Sequence, residues 1–308
     1  MRTVAIVDIG SNSIKLLVAS RDANGRVQSL LQQALNVRIS AGINARNPRW
    51  EEAAMTAGVA AITSLLDRAK AHAPGQTVLV ATSAVRDATN GPEFCERVHR
   101  KCGFGIRILS GTEEANGIGR GLLCDPELRE LQDFTLFDLG GGSLECLSFR
   151  QRRIVHAASL PLGCVRLTEK FVSDRQLRLE PGLLHAISQY ASDMLRAEGF
   201  GPANAMIKAI ATGGSIVNVR NMAAARASLA LEATSTHISR TLLSELLNTI
   251  ADMSLPQRQQ IPGLTPARAD VFPTALATLL GIADCCKLTG FHHSFYNLRY
   301  GIADAALD

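Results

Sequence analysis

VAIVDIGSNSI at residues 4–14 and FTLFDLGGGSL at residues 134–144 follow one pattern, in which an apolar run ends near an aspartate and a glycine turn leads into a second apolar run. With an offset of 130 residues, Asp8 aligns with Asp138 and Ser13 aligns with Ser143. A third apolar run follows each pair, at residues 27–31 and 154–160. Each copy therefore predicts a β-meander, and the repeat predicts two lobes built on one plan.

Helix and strand patterns alternate after each meander. The predicted helices cover residues 51–71, 92–101, 113–123, 241–253 and 273–286, with a further helix starting at residue 216. The predicted strands cover residues 77–81, 106–109 and 205–211. This alternation is typical of an α/β fold in which helices pack on a sheet.

A break at Cys124-Asp-Pro126 separates the two copies. We therefore predict an N-terminal domain at residues 1–125 and a second domain at residues 126–308, with a cleft between them. The C-terminal helix, residues 298–308, is expected either to stay with the second domain or to return and pack on the first.

The composition of the 308 residues suits a two-domain globular protein. With 46% hydrophobic and 19% charged residues, the chain has enough apolar side chain for buried cores, which excludes disordered and fibrous proteins. The net charge of +4 comes from scattered basic residues, so we expect no nucleic-acid partner, whereas an anionic small substrate fits. No membrane-spanning run or secretion signal is evident, and the seven cysteines are irregularly spaced, which predicts a cytoplasmic protein without a membrane partner.

The repeated turn has the composition of an anion-binding loop. A carboxylate at the end of a buried strand, followed by glycine and small polar residues, lets backbone N–H groups surround a phosphate while the carboxylate holds a metal ion or water. The alternative is a plain hairpin turn that needs glycine for a positive φ. A third candidate loop, Ala211-Thr-Gly-Gly-Ser215, lies between a predicted strand and a predicted helix, where helix N–H groups point at an anion.

Two further segments carry charged side chains that suit phosphate chemistry. In Ser110-Gly-Thr-Glu-Glu-Ala115 we expect Thr112 to cap a helix whose first turn holds Glu113 and Glu114, and one of these glutamates is a candidate base for water. The alternative is simple compensation of the helix dipole. Arg86 follows the strand at residues 77–81 and is a candidate phosphate ligand, or else one half of a surface ion pair.

The ordered motifs of the chain resemble those of the exopolyphosphatase/guanosine pentaphosphate phosphohydrolase (Ppx/GppA) family. They are Asp8-Ile-Gly-Ser-Asn-Ser13, Ala81-Thr-Ser-Ala-Val-Arg86, Ser110-Gly-Thr-Glu-Glu-Ala115, Phe137-Asp-Leu-Gly-Gly-Gly-Ser143, Ser159-Leu-Pro-Leu-Gly-Cys-Val-Arg166, Ala211-Thr-Gly-Gly-Ser215, Pro262-Gly-Leu264 and Asn297-Leu-Arg-Tyr-Gly301. The resemblance spans essentially the whole chain. It implies the two-lobed fold of the actin, Hsp70 and sugar-kinase superfamily, a ribonuclease H-like α/β fold with an interdomain cleft.

The resemblance also assigns roles. It makes Glu114 the catalytic base and makes Asp138 and Glu145 ligands of a divalent cation such as Mg²⁺, with Asp8 as a further candidate. The expected phosphate-binding residues, from the resemblance and from the third glycine loop together, are Gly10, Ser11, Asn12, Ser13, Arg86, Gly140, Gly141, Gly142, Ser143, Gly213, Gly214 and Ser215. The implied activity is release of terminal phosphate from inorganic polyphosphate, from guanosine pentaphosphate (pppGpp), or from both.

The chain departs from the family pattern at three points. Asn116 and Gly117 stand where an arginine is usual after the catalytic glutamate, and Tyr300 replaces a glutamate in the last motif. The C-terminal helical domain of larger members is not expected here, and a homodimer is one expected assembly.

Two alternatives to the hydrolase function remain open, namely a weakly catalytic sensor of polyphosphate or (p)ppGpp and a kinase of the same superfamily.

Overall fold

The structure is a computed structural model that describes residues 2–40, 48–202 and 207–308. Its chain divides into two compact units. Unit 1 consists of Met1–Glu130 together with Tyr296–Asp308, and unit 2 consists of Leu131–Phe295. The chain therefore leaves unit 1 five residues later than the predicted boundary at residue 125, and its C-terminal helix belongs to unit 1.

The elements alternate between strands and helices along the whole chain. As far as residue 123 they are β1 (Thr3–Ile9), β2 (Ser13–Arg21), β3 (Val27–Asn36), α1 (Glu52–Lys70), β4 (Gln76–Ala81), α2 (Ser83–Arg86), α3 (Gly91–Cys102), β5 (Ile106–Ile108) and α4 (Gly111–Leu123). After a short 3₁₀ turn follow β6 (Phe134–Leu139), β7 (Leu144–Arg150), β8 (Arg153–Leu160), α5 (Cys164–Phe171), α6 (Pro181–Ala197), β9 (Lys208–Thr212), α7 (Gly214–Ala227), β10 (His237–Ser239), α8 (Arg240–Ala251), α9 (Leu255–Arg258), α10 (Phe272–Cys286), β11 (Gly290–His293) and α11 (Leu298–Leu307).

The two units share one sheet topology. In the described residues the strand order is β3-β2-β1-β4-β5 in unit 1 and β8-β7-β6-β9-β11-β10 in unit 2. In each unit the meander is antiparallel, and its first strand pairs in parallel with the strand that follows the next helix or helices. Even the register irregularity repeats with the offset of 130, between Val18 and Ala19 and between Ser148 and Phe149. The predicted duplication and α/β class are confirmed.

Each unit has its own hydrophobic core. The middle strand β1 of unit 1 is buried on both faces, because helices or strands cover both sides of its sheet. In unit 2, helix α10 is buried along its length except at Asp284, which accounts for its almost uninterrupted apolar sequence. Helix α11 packs on β1 and β2 through Tyr300, Ala303 and Leu307, so its apolar face completes the core of unit 1.

Most predicted elements match the structure within a few residues, with some exceptions. The sequence did not predict helices α2, α5, α6 and α9 or strands β10 and β11. The predicted strand at residues 205–211 begins at Lys208 in the described chain, and its positions 205 and 206 lie outside the described residues. Within the part of the chain that the structure describes, no helix has the length and apolar character needed to cross a membrane.

Candidate functional site

The first glycine turn joins β1 to β2 in unit 1. Ser11, Asn12 and Ser13 are each about 4% exposed. The carbonyl of Ser11 accepts hydrogen bonds from the backbone N–H and the hydroxyl of Ser40, and the carbonyl of Asn12 accepts one from the N–H of Arg38. Because the C=O and N–H of a peptide group point in opposite directions, the N–H groups of Asn12 and Ser13 point away from residues 38–40, as an anion-binding loop requires.

The second turn, between β6 and β7 of unit 2, is held in the same way. The carbonyls of Gly140 and Gly141 accept hydrogen bonds from the first N–H groups of helix α5, and Arg166 Nε donates to the carbonyl of Gly142 at 2.8 Å. A Cβ at Gly163 would lie 2.3 Å from the Gly141 carbonyl oxygen, so glycine permits this close approach. In both units the segment after the third meander strand therefore binds the carbonyl side of the turn.

Both turns close with one geometry. The N–H of Gly10 donates to the carbonyl of Ser13, and the N–H of Gly140 donates to the carbonyl of Ser143. Both are hairpin turns, but Gly10 of the first turn and Gly140, Gly141 and Gly142 of the second have no positive φ. Backbone handedness is thus not the reason for glycine at these positions, which corrects that part of the hairpin alternative.

Two carboxylates of unit 2, those of Asp138 and Glu145, lie opposite each other in the β6–β7 hairpin. Asp138 pairs with Glu145 in the antiparallel register, so both side chains project from the same face, with Cβ atoms expected about 4.5–5.5 Å apart. Asp138 is 8% exposed and Glu145 is 2% exposed, and the Ser159 hydroxyl donates to Glu145 Oε1 at 2.8 Å. The turn therefore brings together the two carboxylates that the resemblance assigned to a metal ion.

This pair fits Mg²⁺ in its donor chemistry. Among the described residues there is no group of three or more His, Cys, Asp or Glu side chains that would enclose a metal ion. Mg²⁺ commonly binds through one or two carboxylates, keeps several waters and takes further oxygens from substrate phosphates. The two buried carboxylates beside the glycine turn have the donor chemistry of such a site, and Mg²⁺ binding here stays a prediction.

In unit 1 the aspartate that corresponds to Asp138 has a lysine opposite it instead of a glutamate. Lys15 lies opposite Asp8 in the β1–β2 register, and its Nζ is 4.0 Å from Asp8 Oδ2. Lys15 thus stands where unit 2 has Glu145. The ammonium already supplies positive charge beside Asp8, and the role of Asp8 as a metal ligand stays a prediction.

The third glycine loop lies beside Asp138. Thr212, the last residue of β9, pairs with Asp138 in the parallel register, and its buried hydroxyl has no hydrogen-bond partner among the described residues. Gly213 has a φ of +99°, and a Cβ there would lie 2.7 Å from Asp138 Oδ1. Glycine is therefore required at residue 213 both for its backbone conformation and for space.

An arginine from a distant segment covers this loop. A Cβ at Gly214 would lie 2.5 Å from the Cζ and Nη2 atoms of Arg268, so the guanidinium lies directly over the first residue of α7. Arg268 belongs to the 3₁₀ turn Pro266–Arg268. The loop, the Asp138–Glu145 pair and this guanidinium form the candidate site of unit 2.

The remaining predicted residues meet in unit 1. The Ser11 hydroxyl lies 3.4 Å from the hydroxyl of Ser83, the first residue of α2, and Arg86 ends that helix. Arg86 Nη1 donates to Glu114 Oε2 at 3.2 Å and to the carbonyl of Leu109 at 2.7 Å. Arg86 therefore forms an ion pair, but with the buried carboxylate of Glu114, which is 6% exposed, and its role as a phosphate ligand stays a prediction.

Glu113, in contrast, caps the helix that carries Glu114. Ser110 is the N-cap of α4, its side chain accepts from the N–H of Glu113, and Glu113 Oε2 accepts from the N–H and hydroxyl of Ser110. The expectation that Thr112 caps this helix is wrong, since α4 begins at Gly111. The Ser110 backbone N–H, with help from Arg107, lowers the pKa of the exposed Glu113 carboxyl to about 2.

Lys15 and Arg268 were missed in the sequence, although one of them had a signal. The 130-residue offset aligns Lys15 with Glu145, so the comparison that identified Asp8 and Asp138 extends to this pair. Arg268 lies four residues after the Pro262-Gly-Leu264 motif, and its proximity to Gly214 depends on tertiary packing.

Fold and site together define the class: a two-domain α/β protein with the actin-like fold, in which repeated strand-turn-strand hairpins each hold a buried aspartate. Two solved structures illustrate the class. An exopolyphosphatase from Cytophaga hutchinsonii matches with a TM-score of 0.87 and 21% identity over 100% of this chain and 98% of its own. A Ppx/GppA family member from Aquifex aeolicus matches with a TM-score of 0.79 and 19% identity over 99% of this chain and 97% of its own.

The family model for the Ppx/GppA phosphatase family matches residues 17–308. The chain belongs to the Ppx/GppA phosphatase family. The resemblance stated from the motifs is therefore confirmed, and with it the assignment as a phosphatase.

Proposed function

We propose that the protein hydrolyses a terminal phosphoanhydride, releasing phosphate from inorganic polyphosphate, from pppGpp, or from both. The observation that carries the proposal is the pair Asp138 and Glu145, buried on one face of a hairpin whose glycine turn has its carbonyls bound by α5. Paired acidic side chains beside backbone N–H groups suit a magnesium-neutralised phosphate chain. The Cytophaga hutchinsonii exopolyphosphatase, which shares the fold, supports the choice of polyphosphate.

In the proposed mechanism the protein positions the substrate and removes one proton. Asp138 and Glu145 would hold Mg²⁺, which when bound neutralises charge on phosphoryl oxygens. The turns at residues 10–13 and 140–143 bind phosphate oxygens through backbone N–H groups. Lys15, Arg86 and Arg268 contribute cationic donors, of which the two guanidinium groups suit phosphate oxygens best.

Glu114 acts as the general base. Its carboxylate takes a proton from a water molecule whose oxygen attacks the terminal phosphorus. The bridging P–O bond breaks, its electron pair stays with the shortened chain, and inorganic phosphate leaves. Arg86 is well placed for a double role, because it donates to Glu114 and is only partly buried. The guanidinium that holds the Glu114 carboxylate in place can also donate its remaining N–H groups to phosphate oxygens.

The test is phosphate release from polyphosphates of several lengths and from pppGpp, with and without Mg²⁺. We expect release that depends on Mg²⁺ and does not depend on an acceptor. Binding without release would identify a sensor instead, and phosphate transfer only to an added acceptor would identify a kinase.

A further inference from the structure

A buried asparagine connects the third glycine loop to the segment that carries Arg268. Asn218 lies one turn into α7 and is 3% exposed. Its Nδ2 donates to the carbonyl of Gly214 at 2.7 Å, and its Oδ1 accepts from the backbone N–H of Thr265 at 2.8 Å. The orientation of the amide is unambiguous, because a carbonyl only accepts and an N–H only donates.

The two hydrogen-bond partners of Asn218 lie in the two segments that bring Gly214 and Arg268 together. Gly214 opens α7, and the Arg268 guanidinium lies over it. Thr265 is the N-cap of the 3₁₀ turn Pro266–Arg268, and its carbonyl accepts a hydrogen bond from the N–H of Arg268. One side chain therefore links the glycine loop to the turn that carries the guanidinium.

Other contacts also hold the same segment against α7, and Asn218 adds a polar connection to them. Gly263 has a φ of +85°, and a Cβ there would lie 2.4 Å from the carbonyl oxygen of Asn221. Leu264 is buried in the core of unit 2. These apolar and steric contacts bring the segment close, but they are not directional, whereas two hydrogen bonds from one amide define distance and angle.

We propose that Asn218 is a positioning residue for phosphate binding, acting through Arg268. It fixes the guanidinium over the Gly213-Gly214 loop, so that an anion at the loop meets both the N-terminus of α7 and a preoriented arginine. The inference rests on the proposed function in that Arg268 binds phosphate oxygens. It predicts that the contribution of Asn218 to anion affinity disappears when Arg268 is absent.

The choice of variant separates the two hydrogen bonds. In Asn218→Ser, the hydroxyl still reaches the carbonyl of Gly214, as serine and threonine commonly do to residue i−4 of a helix, but it is too short to accept from Thr265. Asn218→Ser therefore keeps the helix contact and removes the connection to the Arg268 turn. Leu195→Ala, a truncation of a buried side chain on α6, is the control for loss of stability alone.

The experiment is a double-mutant cycle with Asn218→Ser, Arg268→Met and the combined variant. The readouts are the Kd for inorganic phosphate by titration calorimetry and KM and kcat for phosphate release from tripolyphosphate. We expect Asn218→Ser to raise Kd and KM about tenfold with kcat nearly unchanged, since a charge-assisted hydrogen bond is lost from a misplaced guanidinium. In the Arg268→Met background the same substitution is expected to change Kd less than about twofold, and Leu195→Ala leaves Kd unchanged.

Several results would overturn the inference. Additive effects would show that Asn218 does not act through Arg268, and an equal loss of affinity in Leu195→Ala would show a role in stability only. An Arg268→Met variant that binds phosphate as tightly as the native protein also overturns it, and continued phosphate release in that preparation shows that the proposed function stands. The Kd for phosphate is measured without turnover, so it tests this inference independently of hydrolysis. A native protein that binds phosphate but releases none would contradict the proposed function and leave this inference testable through Kd.

Discussion

Two adjacent glutamates, Glu113 and Glu114, have opposite environments. Glu113 is exposed and bound by Ser110 and Arg107, whereas Glu114 is buried and bound by Arg86. Neighbouring residues of a helix point about 100° apart, so the two carboxylates face different surroundings. This rotation explains why Glu113 caps the helix while Glu114 is the candidate base.

Glu114→Gln is expected to lower kcat at least about a hundredfold and to leave phosphate binding intact, because glutamine keeps the shape but accepts no proton. Glu113→Gln, the matched control, is expected to lower kcat much less. The measurement is steady-state phosphate release together with calorimetric phosphate binding. Near-normal rates in both variants would exclude general-base catalysis by this helix, and the reverse order would make Glu113 the base.

The pKa of Glu113 makes a separate prediction about pH and stability. A carboxyl whose pKa is lower in the folded state contributes stability above its unfolded pKa, and this contribution is lost as the pH falls through the folded value. The pKa of Glu113 falls from 4.5 to about 2 on folding. Urea unfolding of the native protein and of Glu113→Gln should therefore show a stability difference that shrinks between pH 4.5 and about pH 2. A constant difference over that range would contradict the capping assignment.

The metal ligands are tested by Asp138→Asn, which keeps the side-chain shape and removes the charge. We expect a loss of kcat of at least about a hundredfold and a rate that no longer rises with Mg²⁺, since charge neutralisation by a metal ion is worth several kcal/mol. Asp133→Asn is the control, because Asp133 is a partly exposed carboxylate bound to Arg150 near the start of β6. An unchanged Mg²⁺ response in Asp138→Asn would remove this residue from the metal site.

At the scale of elements, α4 and α11 pack so closely that the backbone of one helix meets the backbone at the other. A Cβ at Gly121 would lie 1.9 Å from the carbonyl oxygen of Asn297, and a Cβ at Gly301 would lie 1.9 Å from that of Gly117. Glycine at these positions lets the backbones of the two helices touch. Gly117 was noted in the sequence as a departure from the family pattern, and here it has a packing role beside the helix turn that carries Glu114.

Gly121→Ala is expected to destabilise the protein by about 1–3 kcal/mol, because α4 and α11 must move apart to admit the methyl group. Gly182→Ala in α6 is the control, since a Cβ there meets nothing within 4 Å and alanine favours a helix by roughly 0.5–1 kcal/mol. The check is urea unfolding followed by circular dichroism. Equal stability of the native protein and Gly121→Ala would mean that the helices are less closely packed than described.

At the scale of the whole molecule, the two units differ in how the chain builds them. Unit 2 is one continuous stretch, Leu131–Phe295, whereas unit 1 needs Tyr296–Asp308 from the other end of the chain. Helix α11 buries Tyr300, Ala303 and Leu307 against Val4, Ile6 and Leu17. Without it, a large apolar face of the unit 1 sheet is exposed to water.

We therefore expect residues 131–295 to fold alone and residues 1–130 to remain largely unfolded until a peptide of residues 296–308 is added. Circular dichroism and the cooperativity of urea unfolding measure both fragments. A peptide with Leu307 and Tyr300 replaced by serine is the control and should not restore folding. Cooperative unfolding of 1–130 by itself would contradict this account.

Much of the fold could be predicted from local patterns. The β-meanders, α1, α3, α10 and the two turns follow from apolar periodicity and glycine placement, which depend on residues near one another in the chain. The Ser110-Gly-Thr-Glu113 capping box is equally local, and the spacing of Ser110 three residues before Glu113 favours Ser110 over Thr112 as the cap. Amphipathic α5 and α6 and the short strands β10 and β11 gave weaker patterns, because a short strand or a half-buried helix depends on what packs against it.

By itself, then, the sequence determined the duplicated α/β plan, the family and the residue types at the turns. Only the tertiary structure decided that Lys15 stands beside Asp8, that Arg268 covers Gly214 and that α11 belongs to unit 1. The physical reason is distance along the chain. Hydrogen bonding and apolar periodicity act between near neighbours and are visible in the sequence, whereas contacts between distant segments are set by how whole elements pack to bury their apolar faces.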